Sequence, residues 1–72
     1  MRLLIELDRE TDGRWIGEIE SLSVYVYGAT REEAIAKTKA LALYALADRL
    51  EQGKSPEAEV QDVSFAVAHE AA

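Results

Sequence analysis

The sequence predicts a small α+β domain of order β-β-β-α-β, with one long helix packed on one face of a four-stranded mixed sheet. Three observations carry that expectation. Apolar and polar residues alternate in four short stretches, an alanine-rich stretch of helical periodicity separates the third from the fourth, and turn-forming residues mark the junctions. At 72 residues the chain suits a single domain with a modest core.

The first stretch, "RLLIELD", places Leu3, Ile5 and Leu7 on one side and Arg2, Glu6 and Asp8 on the other, with Leu4 the apolar exception. "RETDG" follows, and its Asp12-Gly13 pair is a strong hairpin signal. In "RWIGEIE", Trp15, Gly17 and Ile19 share one side while Ile16, Glu18 and Glu20 share the other. The short break "SLS" leads into "VYVY", where Val24 and Val26 alternate with Tyr25 and Tyr27. Three strands joined by short turns form an antiparallel meander.

The stretch "YGATREEA" joins the third strand to the helix. Gly28 ends the strand, where a residue without Cβ turns freely. Thr30 and Glu33 have the S/T-x-x-E spacing of a capping box, in which each side chain satisfies a backbone N–H of the first turn. Glu32 and Glu33 suit the positive end of the helix dipole and would repel a phosphate there. The junction is therefore structural.

The helix is expected from Arg31 to Glu51, ending at "QGKSP" with Gly53 as breaker and Pro56 beyond. Its inner stripe reads Ile35, Ala42, Leu46 and Leu50. Leu43 flanks the stripe on one side, with Thr38, Ala45 and Leu41 on the other. Glu33, Lys37, Tyr44, Asp48 and Glu51 mark the wet side. The apolar arc is wider than one sheet face requires, and its Ala side admits close approach of a second element. "AEVQDVSFAVAHEAA" then alternates again, with Val63, Phe65 and Val67 inward as a fourth strand.

Composition narrows the function classes. Fourteen acids against eight bases give a net charge of −6, which repels nucleic acid and favours a basic partner. There is no Cys, so no disulfide or thiolate–metal site is available. The opening "MRLLIELD" is no signal peptide, and no apolar run is long enough to span a bilayer, so a cytoplasmic location is expected.

Catalytic signatures are weak. His69 is the only His and lies near the C-terminus, where solvent exposure is its ordinary state. Ser21, Ser23, Ser55 and Ser64 have no evident His–acid partners for a hydrolase triad. Glu6, Asp8, Glu18 and Asp62 would have to converge to hold Mg²⁺ for a nuclease, yet paired acids on a strand are also what a solvated face shows. Trp15 falls with the core face, which suits packing better than base stacking. No catalytic, cofactor-binding or metal-ligating residue is assigned.

A single helix covers one side of the sheet, and the alternation leaves Leu4, Ile16, Tyr25 and Tyr27 among Glu6, Glu18 and Glu20 on the other. That side is too apolar to be idle and too charged to be core, so it is read as a contact surface for another chain. Its candidate contact residues are Leu4, Ile16, Glu18, Glu20, Tyr25 and Tyr27.

From Leu3 to Lys54 the chain resembles the N-terminal domain of HicB-family antitoxins. Three features carry the likeness: the acidic hairpin followed by an aromatic and a small residue (Asp12, Gly13, Trp15, Gly17), the Tyr27-Gly28-x-Thr30 strand exit, and the "REEAI" start of an Ala/Leu helix. The resemblance implies a β-β-β-α-β fold like a truncated RNase H without nuclease activity. It also implies assembly into dimers or larger oligomers, and binding that neutralises a small basic HicA-like toxin which cleaves mRNA. The family's P-[DE]-L-P-G turn after the second strand is replaced here by Glu20-Ser21-Leu22-Ser23-Val24. Full-length antitoxins add a DNA-binding domain that this length does not hold, so promoter binding is not expected. The alternative is a solitary oligomeric module with no toxin.

Overall fold

The computed structural model describes residues 1–54 and 60–68. The elements follow the expected order: β1 (Arg2–Arg9), β2 (Trp15–Ile19), β3 (Val24–Gly28), α1 (Arg31–Glu51) and β4 (Ser64–Val67). Ser55, Pro56 and His69 lie outside the described residues, as do positions 58–59 and 69–72 of the stretch read as the fourth strand.

The strands lie in the order β3-β2-β1-β4. β1 pairs antiparallel with β2, and β2 with β3, while β4 adds parallel to the far edge of β1. The sheet is therefore mixed. α1 carries the chain from one edge strand to the other, so its path necessarily covers one face. Each junction has a local cause. Between β1 and β2, Glu10 and Arg14 close the hairpin with a backbone bond of 2.8 Å, and Gly13 takes a φ of 93°.

The break after β2 is more ordered than expected. Glu20–Leu22 form a 3₁₀ turn that buries Leu22, and Ser23 closes it in the left-handed region at φ 55°. Glu20 thus sits in this turn and not on the strand.

α1 begins as the capping box requires. Thr30 Oγ1 accepts from the Glu33 N–H at 3.0 Å, while Glu33 Oε1 accepts from the Ala29 N–H at 3.2 Å, one residue before the cap. At its other end the Lys54 N–H reaches the Arg49 carbonyl at 2.9 Å and the Gly53 N–H reaches Leu50 at 3.1 Å. This is a Schellman closure, and Gly53 supplies its positive φ of 68°.

The core lies between α1 and one sheet face. Leu3, Ile5, Leu7, Ile19, Leu22 and Val24 meet Ala34, Ala42 and Leu46, with Trp15, Ile35, Val63 and Phe65 packed around them. Thr38 is also fully buried, its hydroxyl donating to the Ala34 carbonyl at 2.6 Å. The helix buries Ala34, Thr38, Ala42 and Leu46, a stripe rotated from the expected Ile35–Ala42–Leu46–Leu50. Leu43 and Leu50 remain exposed, as does Leu41.

The rotation has a physical reason. A Cβ on Gly17 would lie 1.9 Å from Thr38 Oγ1, and one on Gly28 would lie 2.5 Å from Ala34 N. The helix approaches β2 and β3 where both partners are small, which draws Ala34 and Thr38 inward. Gly28 is therefore a site of close approach, and its φ is not among the positive ones.

Candidate docking face of the sheet

The strand register fixes the composition of the uncovered face. Asp8 pairs with Ile16, which pairs in turn with Tyr27; Glu6 pairs with Glu18, which pairs with Tyr25. On the other side of β1, Leu4 pairs with Ala66 and Arg2 with Ser64. Because paired residues project the same way, these side chains share the face opposite α1.

Exposure on this face is uneven. Tyr25 is 51 % exposed, Leu4 49 % and Tyr27 39 %. Ile16 departs from the expected contact set, for it is only 8 % exposed although it is no member of the helix-side core. Flanked by Tyr27 and Asp8, it is the floor of the face rather than a projecting contact. Leu4, Glu18, Tyr25 and Tyr27 occupy the positions that alternation assigns, and Glu20 borders the same face from its turn.

A chain of contacts orders one corner. Arg14 Nε donates to Asp12 Oδ2 at 2.8 Å, and the guanidinium lies 4.3 Å from the Tyr27 ring centroid. Tyr27 meets Tyr25 edge-on, with centroids 5.6 Å apart and planes at 86°. Cation–π and T-shaped ring contacts of this kind hold the rings in place. The Arg14 backbone N–H and then its side chain hold the Asp12 carboxyl below its ordinary value. The Tyr25 phenol is pushed up to about 12, first by hydrogen bonding with the Tyr27 side chain, then by desolvation and by the charges of Tyr27, Glu10 and Glu18. It remains a proton donor at neutral pH.

Arg14 was not among the sequence candidates. Its position two residues before Ile16 already put it on this face by alternation, diagonal to Tyr27 across the strand pair.

Two shallow hollows share Glu6 as a wall. One, of about 540 Å³, is lined by Arg2, Leu4, Glu6, Glu20 and Ser21. The other, of about 350 Å³, is lined by Glu6, Leu7, Asp8, Ile16, Glu18 and Tyr25. Glu6 and Glu18 are direct cross-strand neighbours, an arrangement that costs stability unless a cation answers it.

The acids do not gather into a metal cradle. Among the described residues no three metal-ligating side chains come together. Asp62 precedes β4 at the Arg2 end of β1, where its carbonyl accepts from the Met1 ammonium. Asp8 lies six residues along β1, about 20 Å away at strand rise. Trp15 lies on the helix side with Arg9 over its ring at 5.6 Å, as the packing reading expects.

No protein-family model, curated protein or solved structure matches the chain. Among the described residues no helix is long and apolar enough to cross a membrane.

Proposed function

We propose that the chain is a non-catalytic docking module whose open sheet face receives a basic protein, in the manner of a HicB-like antitoxin holding a HicA-like toxin. The observation that supports this reading most directly is the union of exposed apolar side chains (Tyr25, Tyr27, Leu4) with acids (Glu6, Glu18) on the face that α1 leaves bare. A basic protein offers Lys or Arg for the hollow lined by Glu6, Asp8 and Glu18, where a cation relieves the cross-strand repulsion of Glu6 and Glu18; the other hollow already has Arg2 beside Glu6 and Glu20. The ordered tyrosines offer broad contact area at small entropic cost. Opposite charge speeds encounter, and occupancy of this face would mask the toxin's RNA-binding surface.

The test is a titration of the purified chain with a HicA-like toxin, alongside co-expression. Growth arrest should be relieved, and the affinity should fall with rising salt. Glu18→Lys and Tyr25→Ala should each weaken the complex without lowering the thermal melt of the free chain by more than a few degrees, and Glu18→Lys should raise it slightly by placing a cation opposite Glu6. No complex with the toxin, or one indifferent to both substitutions, defeats the proposal.

A further inference from the structure

The outer side of α1 carries a second apolar surface that the sheet does not use. Ala36, Ala40, Leu43, Ala47 and Leu50 recur at alternating spacings of four and three residues, and all five are exposed. That is the seam spacing of a helix that packs against another helix. Beside it, Tyr44 is 74 % exposed and Leu43 51 %. Ala40, Leu43, Tyr44 and Ala47 line a depression of about 390 Å³. With Ala34, Thr38, Ala42 and Leu46 buried on the opposite side, the helix is apolar on two sides. A helix of that kind is ordinarily enclosed on both.

We propose that this seam joins two copies of the chain through an antiparallel pairing of their α1 helices. The occupant follows from the pattern itself. In an antiparallel pair centred near Ala45, Ala40 meets Leu50 of the second copy and Leu43 meets its Ala47, so each of these four layers sets a small residue against a large one, while Ala36 falls opposite position 54, past the end of the partner helix. A parallel pair would instead stack Ala on Ala and Leu on Leu. It would also bring together the acidic first turns, with Glu32 and Glu33 from each copy.

Charge selects the same register. Lys37, Tyr44 and Glu51 follow one another at seven-residue intervals along one flank of the seam. The antiparallel pair lays Lys37 against Glu51 of the second copy, twice by symmetry, and Tyr44 against its own equivalent. Lys37 already pairs with Glu33 at 3.0 Å in its own helix, which orients its ammonium along this flank. The contact is isologous, the commonest form of self-association. It uses no residue of the open sheet face, so it stands independently of what docks there.

The chain should show a reversible monomer–dimer equilibrium by sedimentation across roughly micromolar to millimolar concentration. Leu43→Lys should weaken it by about a hundredfold or leave only monomer. Lys37→Glu and Glu51→Lys should each weaken it by roughly three- to tenfold, and the double exchange should return it to within about twofold of the parent. Repair by the double exchange distinguishes a bond between copies from a loss of helix stability, because a carboxylate at position 37 stays unfavourable beside Glu33 within the helix. The chain has no Cys, so Tyr44→Cys provides a second readout that needs no weakened variant. It should oxidise to a covalent dimer, whereas Lys39→Cys should not. A strict monomer at every concentration, a dimer unmoved by Leu43→Lys, or a double exchange no better than the singles would each overturn the proposal.

Discussion

On one side of β2 the chain sets Trp15, Gly17 and Ile19; on the other it sets Ile16 and Glu18. The two sides meet their surroundings in opposite ways. Toward the helix, the decisive feature is missing volume: Gly17 and Gly28 leave room for Thr38 and Ala34, and the elements close to contact. Away from the helix, the decisive feature is charge. Glu6 and Glu18 stand directly opposed and Asp8 lies next to Ile16. Each of these acids is easily solvated where it is, and each would lose its water under a covering element of the same acidic chain. Closure of one side and openness of the other thus come from the same strands, by alternation of small or apolar residues with acids.

Truncating a leucine on each side should give the largest difference. Leu46→Ala, in the closed core, should cost about 2–5 kcal/mol, since both transfer energy and cavity terms apply. Leu4→Ala, on the open side, should stay within about 0.5 kcal/mol. Urea midpoints of the two variants decide it. Comparable losses would mean that the open side is also packed in solution.

Close approach is tested next by Gly17→Ala. The added methyl would lie 1.9 Å from Thr38 Oγ1 and 3.1 Å from the Ala34 carbonyl, so the helix or Thr38 must shift. A loss of about 1–3 kcal/mol is expected. Thr38→Ala in the same chain should recover part of it, and a double-mutant cycle isolates the coupling. Additive losses would show that Gly17 matters through the backbone and not through this contact.

Much of this arrangement was legible beforehand because strand alternation has a period of two and tolerates no slip. Leu3, Ile5, Leu7, Trp15, Ile19, Tyr25 and Tyr27 all lie on the sides that the pattern assigns them. The helix was harder. Periodicity sets its stripe about one position away from the buried one, drawing in Leu50 and leaving out Ala34, because hydrophobicity alone favours Leu over Ala at a buried site. What decided the matter was the shape of the facing sheet, where two glycines admit only small neighbours. Shape of that kind depends on which residues oppose each other across elements far apart in sequence. Gly28 shows the same gap from the other side: turn freedom is a local property, whereas its actual constraint is Ala34 overhead. On the open face, the alternation assigned Tyr25 and Tyr27 but could not show Arg14 held between Asp12 and Tyr27, since that depends on hairpin closure. Nor does alternation reveal that the neighbours of Ile16 nearly cover it.

The open side should respond to substitution with the opposite sign. Replacing Glu18 by Gln removes a like-charge pair across the strands and should stabilise the free chain by about 0.2–0.5 kcal/mol. The same change should weaken binding of a basic partner. A variant less stable than the parent would show that Glu18 has a favourable partner within the chain, and would remove the argument that this side awaits an external cation.

The smallest effect is expected from acid, and it separates the two sides once more. Glu33, at the start of the covering helix, is held below its ordinary value of 4.5 by hydrogen bonding to Lys37 and the Ala29 N–H. Asp12, at the corner of the open side, is held below 3.8 by the Arg14 backbone and side chain. A carboxyl whose folded-state pKa is depressed stabilises the fold above its unfolded value, and that contribution is lost as pH falls through the folded value. Both groups are exposed, so both losses should be small and reduced by salt. Glu33→Gln should flatten the fall of the urea midpoint below about pH 4.5, because Gln keeps some of the capping geometry without the charge. Asp12→Asn should leave the global midpoint almost unchanged while freeing Arg14 from Tyr27, visible as altered tyrosine ring shifts by NMR. An acid limb equally steep in Glu33→Gln and parent would show that the helix start draws no stability from charge, leaving the small-residue contacts of Gly17 and Gly28 as what holds the helix to its side of the sheet.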